Sequence, residues 1–130
     1  MDNPKASVVH VVDDDEAVRD STRALLESHG LEVRVYPSAT EFLVASPNHS
    51  KGCVLLDLHM PGMSGLELLE TLQARGSKIP IIAMTGRGDT TLKARAVRAG
   101  AVTLLDKPVT QSTLLDTLAR ALAQAEFRAV

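Results

Sequence analysis

Three carboxylates in this chain are spaced so that folding would bring them to one edge. Asp57 ends the apolar run Gly52-Cys53-Val54-Leu55-Leu56 and is followed by Leu58-His59-Met60-Pro61-Gly62. Asp13 and Asp14 end an earlier apolar run, Val8-Val9-His10-Val11-Val12. An apolar run that stops at an acid reads as a buried strand pushing a carboxylate out at its C-terminal end. If the two runs are neighbouring parallel strands, the acids share one crevice and repel one another unless a cation joins them. Oxygen-only donors select a hard divalent ion, and such an ion beside a nucleophilic carboxylate suggests phosphate chemistry. Asp15 makes the acidic run a triplet. Asp13 and Asp14 directly follow the strand, whereas Asp15 stands where it would cap the next helix.

Elements able to position these acids recur along the chain. Apolar runs lie at Val8–Val12, Leu31–Tyr36, Cys53–Leu56, Pro80–Met84 and Ala101–Leu105. Segments with helical spacing separate them. The first, Glu16–His29, sets Val18, Thr22, Leu25, Leu26 and His29 on one face and stops at Gly30. The second and third follow the capping-box patterns Ser38-Ala39-Thr40-Glu41 and Ser64-Gly65-Leu66-Glu67. The fourth runs from Asp89 to Gly100, with a thin apolar face of Leu92, Ala94, Ala96, Val97 and Ala99. The fifth starts near Thr110, with a stripe of Leu114, Leu115, Leu118 and Leu122. Strand–helix alternation with short connections predicts an α/β fold, a flavodoxin-like (βα)5 three-layer sandwich around a parallel five-stranded sheet. The second run alternates Leu31, Val33 and Val35 with Glu32 and Arg34, as an edge strand would. The predicted order is 2-1-3-4-5, with strands one and three adjacent at the switch point where ligands bind.

Composition narrows the possibilities. The chain has 130 residues, enough for one domain with a real core, so 1–130 is read as one unit without an output domain. A formal net charge of −2 gives no electrostatic reason for direct nucleic-acid binding. The single cysteine, Cys53, excludes an internal disulfide and sits where a small buried hydrophobe belongs. No apolar stretch is long enough to span a bilayer and the start lacks a signal-peptide core, which makes the cytoplasm the expected compartment. His10, His29 and His49 read as structural or solvent-exposed.

Four stretches, each ending a predicted strand, give the chain a likeness. They are Val11-Val12-Asp13-Asp14-Asp15-Glu16, Asp57-Leu58-His59-Met60-Pro61-Gly62-Met63-Ser64-Gly65, Met84-Thr85-Gly86 and Asp106-Lys107-Pro108. In this order they resemble the receiver domain of bacterial two-component response regulators. The wording Thr85-Gly86-Arg87-Gly88-Asp89 is most similar to receivers of the FixJ type. The resemblance implies that Asp57 accepts a phosphoryl group from a phosphohistidine on a sensor histidine kinase. It implies Mg²⁺ (or Mn²⁺) at Asp13, Asp14, Asp57 and the His59 main-chain carbonyl, with Asp14 binding directly and Asp13 mainly through water. It assigns the phosphoryl group to Lys107, Thr85, Gly86 and the backbone of Leu58 and His59, and implies a cis Lys107–Pro108 peptide. His59 and Arg87 occupy positions that influence acyl-phosphate lifetime.

The resemblance also implies a switch led by Thr85, but the aromatic residue many relatives carry before the lysine is replaced by Leu104. The signal would then leave through backbone and fourth-helix movement. The face of helix 4, strand 5 and helix 5 is the expected homodimer surface on phosphorylation, and relatives of the FixJ type add a DNA-binding domain that controls transcription. The module would promote its own phosphorylation and dephosphorylation without being an enzyme in its purpose. Other readings compete. A haloacid-dehalogenase-type phosphatase wants an Asp where His59 stands. A flavodoxin-like cofactor binder wants a small-residue phosphate loop where the acidic triplet stands. A stand-alone receiver acting as a phosphorelay shuttle or docking module stays open.

Overall fold

A computed structural model describes residues 8–45, 51–86 and 89–128, with side chains to residue 124. Strands and helices alternate: β1 (Val8–Val12), α1 (Glu16–Ser28), β2 (Glu32–Tyr36), α2 (Ala39–Ala45), β3 (Cys53–Asp57), α3 (Gly65–Ala74), β4 (Ile81–Thr85), α4 (Thr90–Arg98), β5 (Thr103–Asp106) and α5 (Gln111–Arg128). The five strands are parallel in the order β2-β1-β3-β4-β5, as expected. β3, β4 and β5 each end one residue later than the apolar runs suggest, because the ladder continues through polar residues: Asp57 pairs with Met84 and Thr85 with Asp106.

Alternation along each strand splits the core into two layers. Val9, Val11, Val33, Cys53, Leu55 and Ile82 face Leu26 of α1 and Leu114 and Leu118 of α5. Val12, Val54, Leu56 and Ala83 face Phe42 of α2, Leu68, Leu69 and Leu72 of α3, and Ala96 at α4. β1, β3 and β4 are buried along their whole length, whereas β2 exposes Glu32 and Arg34. The polar face of β2 closes at Tyr36, which is buried. His10 is also buried: its Nδ1 lies 3.0 Å from the Tyr36 hydroxyl, and its ring meets the Phe42 edge. Of the other histidines, His29 is exposed and His49 lies outside the described residues.

Two helical faces differ from expectation. In α1 the buried contact comes from Leu26, with Leu25 packed beside it, whereas Val18 is 38% exposed and His29 is the exposed C-cap. Helical phase is right, but these two stand at the helix ends, beyond the sheet that covers its middle. In α4, Ala94 and Val97 face outward, and only Leu92, Ala96 and Ala99 meet the core. That contact is thin and built largely of methyl groups.

Candidate functional site

The loops after β1 and β3 aim their acids by the same device. Asp13 Oδ1 accepts from the Asp15 N–H at 2.9 Å, and Asp57 Oδ1 accepts from the His59 N–H at 3.0 Å. Each strand-terminal Asp thus folds its side chain onto the amide two residues on, an Asx turn. Asp15 then caps α1, accepting from the N–H groups of Ala17 and Val18. Arg19 reaches back from α1 to donate to the Asp13 carbonyl at 2.8 Å. On the β3 side, Ser64 and Glu67 complete a capping box that starts α3. Gly65 lies so close to β3 that a Cβ there would stand 2.2 Å from the Asp57 carbonyl oxygen.

These devices bring Asp13, Asp14 and Asp57 together, with one carboxylate oxygen from each within 4.8 Å of the others. Asp13 and Asp57 are buried and Asp14 is exposed. Burial raises the Asp13 carboxyl above the usual carboxylate range; the charges of Asp57 and Asp14 push the same way, against the Asp15 N–H and Lys107. Asp13 Oδ2 is buried with no hydrogen-bond partner among the described residues. A buried carboxylate oxygen left unpaired beside two more acids fits a hard cation.

The other half of the site comes from β4 and β5. Lys107 Nζ lies 3.1 Å from Asp57 Oδ1, and the Lys107–Pro108 peptide is cis. The Lys107 N–H donates to the Thr85 carbonyl at 2.9 Å. Thr85 is fully buried, and its Oγ1 lies 2.9 Å from His59 Nε2. The contacts close a circuit: Asp57 to the His59 amide, the His59 ring to Thr85, Thr85 to the Lys107 amide, and the Lys107 ammonium back to Asp57.

Asp13, Asp14, Asp57, His59, Thr85, Gly86 and Lys107 therefore share one edge of the sheet, whereas Arg87 lies outside the described residues. Leu58 departs from expectation. Its N–H donates to the Met84 carbonyl at 2.9 Å, so that amide serves the β3–β4 ladder rather than a phosphate. Leu104 is half-buried against the α2–α4 side of the core. Three positioning features were missed: the Arg19 bond, the close approach of Gly65, and the His59 ring on Thr85. Only Gly65 left a signal, a residue of poor helix propensity at the first helical position.

Comparisons with known proteins agree with this geometry. The response regulator receiver domain family matches residues 9–119. The transcriptional regulatory protein FixJ of Azorhizobium caulinodans is 43% identical over 122 residues, covering 94% of this chain and 58% of that protein. The transcriptional regulatory protein TdiR of Thauera aromatica is 47% identical over 118 residues, covering 91% of this chain and 52% of that protein. This chain thus spans a little over half the length of these relatives. The crystal structure of FixJ-N superposes with a TM-score of 0.85 at 37% identity, covering 95% of this chain and 96% of that one. Membership sets aside the phosphatase and cofactor-binder readings, and the family is one of signalling modules. The chain belongs to the response regulator receiver domain family and is similar to receivers of the FixJ type.

Proposed function

We propose that this receiver is a phosphoacceptor switch in which Asp57 takes a phosphoryl group from the phosphohistidine of a sensor histidine kinase. The observation that carries the reading is the Lys107 ammonium 3.1 Å from the Oδ1 of a buried Asp57, inside the acidic cluster. The two contacts on Asp57 named above both fall on Oδ1, so Oδ2 carries the lone pairs they leave for attack on phosphorus. The new O–P bond forms as the P–N bond to the kinase imidazole breaks, and the electron pair leaves on the imidazole nitrogen. Lys107 meets the negative charge spread over the phosphoryl oxygens, the Thr85 hydroxyl and the Gly86 N–H can donate to them, and the His59 N–H reaches them only by sharing its bond to Asp57 Oδ1. Asp13, Asp14, Asp57 and the His59 carbonyl would hold Mg²⁺ or Mn²⁺, which supplies further neutralisation of those oxygens when bound. His59 and Arg87 set the lifetime of the acyl phosphate.

Residues 1–130 are proposed to act as one receiver domain, working in the cytoplasm where ATP-fed kinases operate. The proposed output face is α4, β5 and α5. Val97 at 58% and Val102 at 40% exposure belong to this stretch of chain, as does the Lys93–Asp106 ion pair, and a phosphorylation-enhanced homodimer is proposed on it. The relatives' names, transcriptional regulatory proteins, support transcription as the output. Phosphorylation by acetyl phosphate with Mg²⁺, followed by intact mass, tests the reading. Wild type should gain one phosphoryl group and Asp57→Asn none; equal labelling of both would overturn it.

A further inference from the structure

One side chain sits on the donors that the proposed phosphoryl site would use. The His59 amide is turned to Asp57, but its ring crosses to β4. There Nε2 accepts from the Gly86 main-chain N–H at 3.3 Å and lies 2.9 Å from Thr85 Oγ1. An imidazole nitrogen that accepts from an amide carries no proton, so the ring proton is on Nδ1 and the Thr85 hydroxyl donates. Two donors therefore converge on a single nitrogen lone pair. Thr85 is fully buried, so its hydroxyl needs an acceptor from the protein. The ring itself is exposed, on a loop, and is not part of the core.

We propose that His59 is a positioning residue: its Nε2 is a stand-in acceptor that holds the Thr85 hydroxyl and the Gly86 amide until a phosphoryl group on Asp57 takes them over. This rests on the reading of Asp57 as phosphoacceptor. The ring and the phosphoryl oxygens compete for the same two donors, so loading the site breaks both ring contacts. Freed, the imidazole swings outward, and Thr85 and Gly86 lose their tie to the β3 loop. The competition belongs to this chain's own choice of residue after Asp57 and Leu58, because an aliphatic side chain there offers no acceptor.

Beryllofluoride with Mg²⁺, an acyl-phosphate mimic, is the probe, with binding followed by amide NMR. Removing the ring in His59→Ala leaves water as a mobile partner for Thr85, and beryllofluoride should bind about 3–10-fold tighter, the worth of one neutral hydrogen bond. His59→Gln, whose amide oxygen can accept from both donors, should return towards wild type. In a Thr85→Ala background the gain from His59→Ala should shrink by at least half. Nitrogen spectra of the uncharged wild-type ring should show Nδ1 protonated and Nε2 bare, and the Nε2 signal should move when the probe binds. Failure of wild type to bind the probe at all would remove the phosphoacceptor reading itself. Binding without a gain in His59→Ala, a gain undiminished without the Thr85 hydroxyl, or a ring protonated on Nε2 would each overturn the stand-in alone.

Discussion

Replacing Asp13 with asparagine should make the metal-free protein more stable, although it removes a residue proposed to hold the metal. The carboxylates of Asp13 and Asp57 are both buried and approach within 4.8 Å. Two unit charges at such a separation repel by about 3–4 kcal/mol at an effective dielectric of about 20. Lys107 takes back part of this through its attraction for Asp13, though it is 40% exposed and screened. Asn at position 13 keeps the oxygen that accepts from the Asp15 N–H. It also puts an amide donor where Oδ2 is now buried without a partner among the described residues. The net gain should be about 1–3 kcal/mol, a rise in Tm of roughly 4–12 °C for a chain of this size. Thermal unfolding in EDTA by circular dichroism measures it. With Mg²⁺ the order should narrow or reverse, since a ligand at ten times its dissociation constant adds about 1.4 kcal/mol to the protein that binds it. Asp13→Asn should gain far less from the ion than wild type. A lower Tm for Asp13→Asn in EDTA would show that the cluster is not repulsive, and the argument for a cation would lose its physical basis.

Two further outcomes follow from the same geometry. Because the Asp13 carboxyl is raised by burial, the folded chain holds that proton more tightly than the unfolded chain. Through this group, metal-free stability falls as pH rises through and above the ordinary Asp range, and the Mg²⁺-induced gain in Tm shrinks as pH is lowered into it; paired melts in EDTA and Mg²⁺ across that window check the sign. Gly65→Ala would force a Cβ to within 2.6 Å of Leu58 Cα and nearer still to the Asp57 carbonyl. The cost should be about 2–4 kcal/mol by urea unfolding, with slower acetyl phosphate labelling of Asp57; a cost below about 0.5 kcal/mol would mean that α3 does not rest on the phosphoacceptor strand.

The sheet and its acids were legible because the signals coincide. Val8–Val12 and Cys53–Leu56 are apolar without alternation and end in acids, which fixes both central burial and the edge where charge emerges. Glu32 and Arg34 marked β2 as the edge strand for the opposite reason. What stayed hidden depends on which neighbour covers a residue. Val18 has the right phase for burial but stands at a helix end, and Val97 lies one residue off the face that Leu92, Ala96 and Ala99 turn to the core. His10 was open between core and surface until Tyr36 and Phe42 were seen to enclose it. The bonds of the His59 ring span 26 and 27 residues of chain, and no local pattern foretells a partner at that distance. The Leu58 amide was spent on Met84 because the β3–β4 ladder runs one residue past the strand that periodicity marks.

On the proposed reading, the placement of these contacts explains how a change at Asp57 reaches a surface without an aromatic relay. Leu104 stands where a ring would serve, and an aliphatic side chain packed on the α2–α4 core has no polar end to follow a hydroxyl. The remaining route is main chain. Gly86 lies three residues before Asp89, whose carboxylate caps α4 by accepting from the Leu92 N–H at 3.1 Å. α4 meets the core through Leu92, Ala96 and Ala99, so moving it disrupts little apolar burial. Lys93 on α4 pairs with Asp106, the last residue of β5, directly before Lys107. The helix is thus linked to the site at two points, three positions along the chain from Gly86 and, through Lys93, at Asp106 next to the Asp57 counter-charge. A phosphoryl group that draws Thr85, Gly86 and Lys107 inward pulls on both links at once, and α4, held to the core by Leu92, Ala96 and Ala99, is the element that yields.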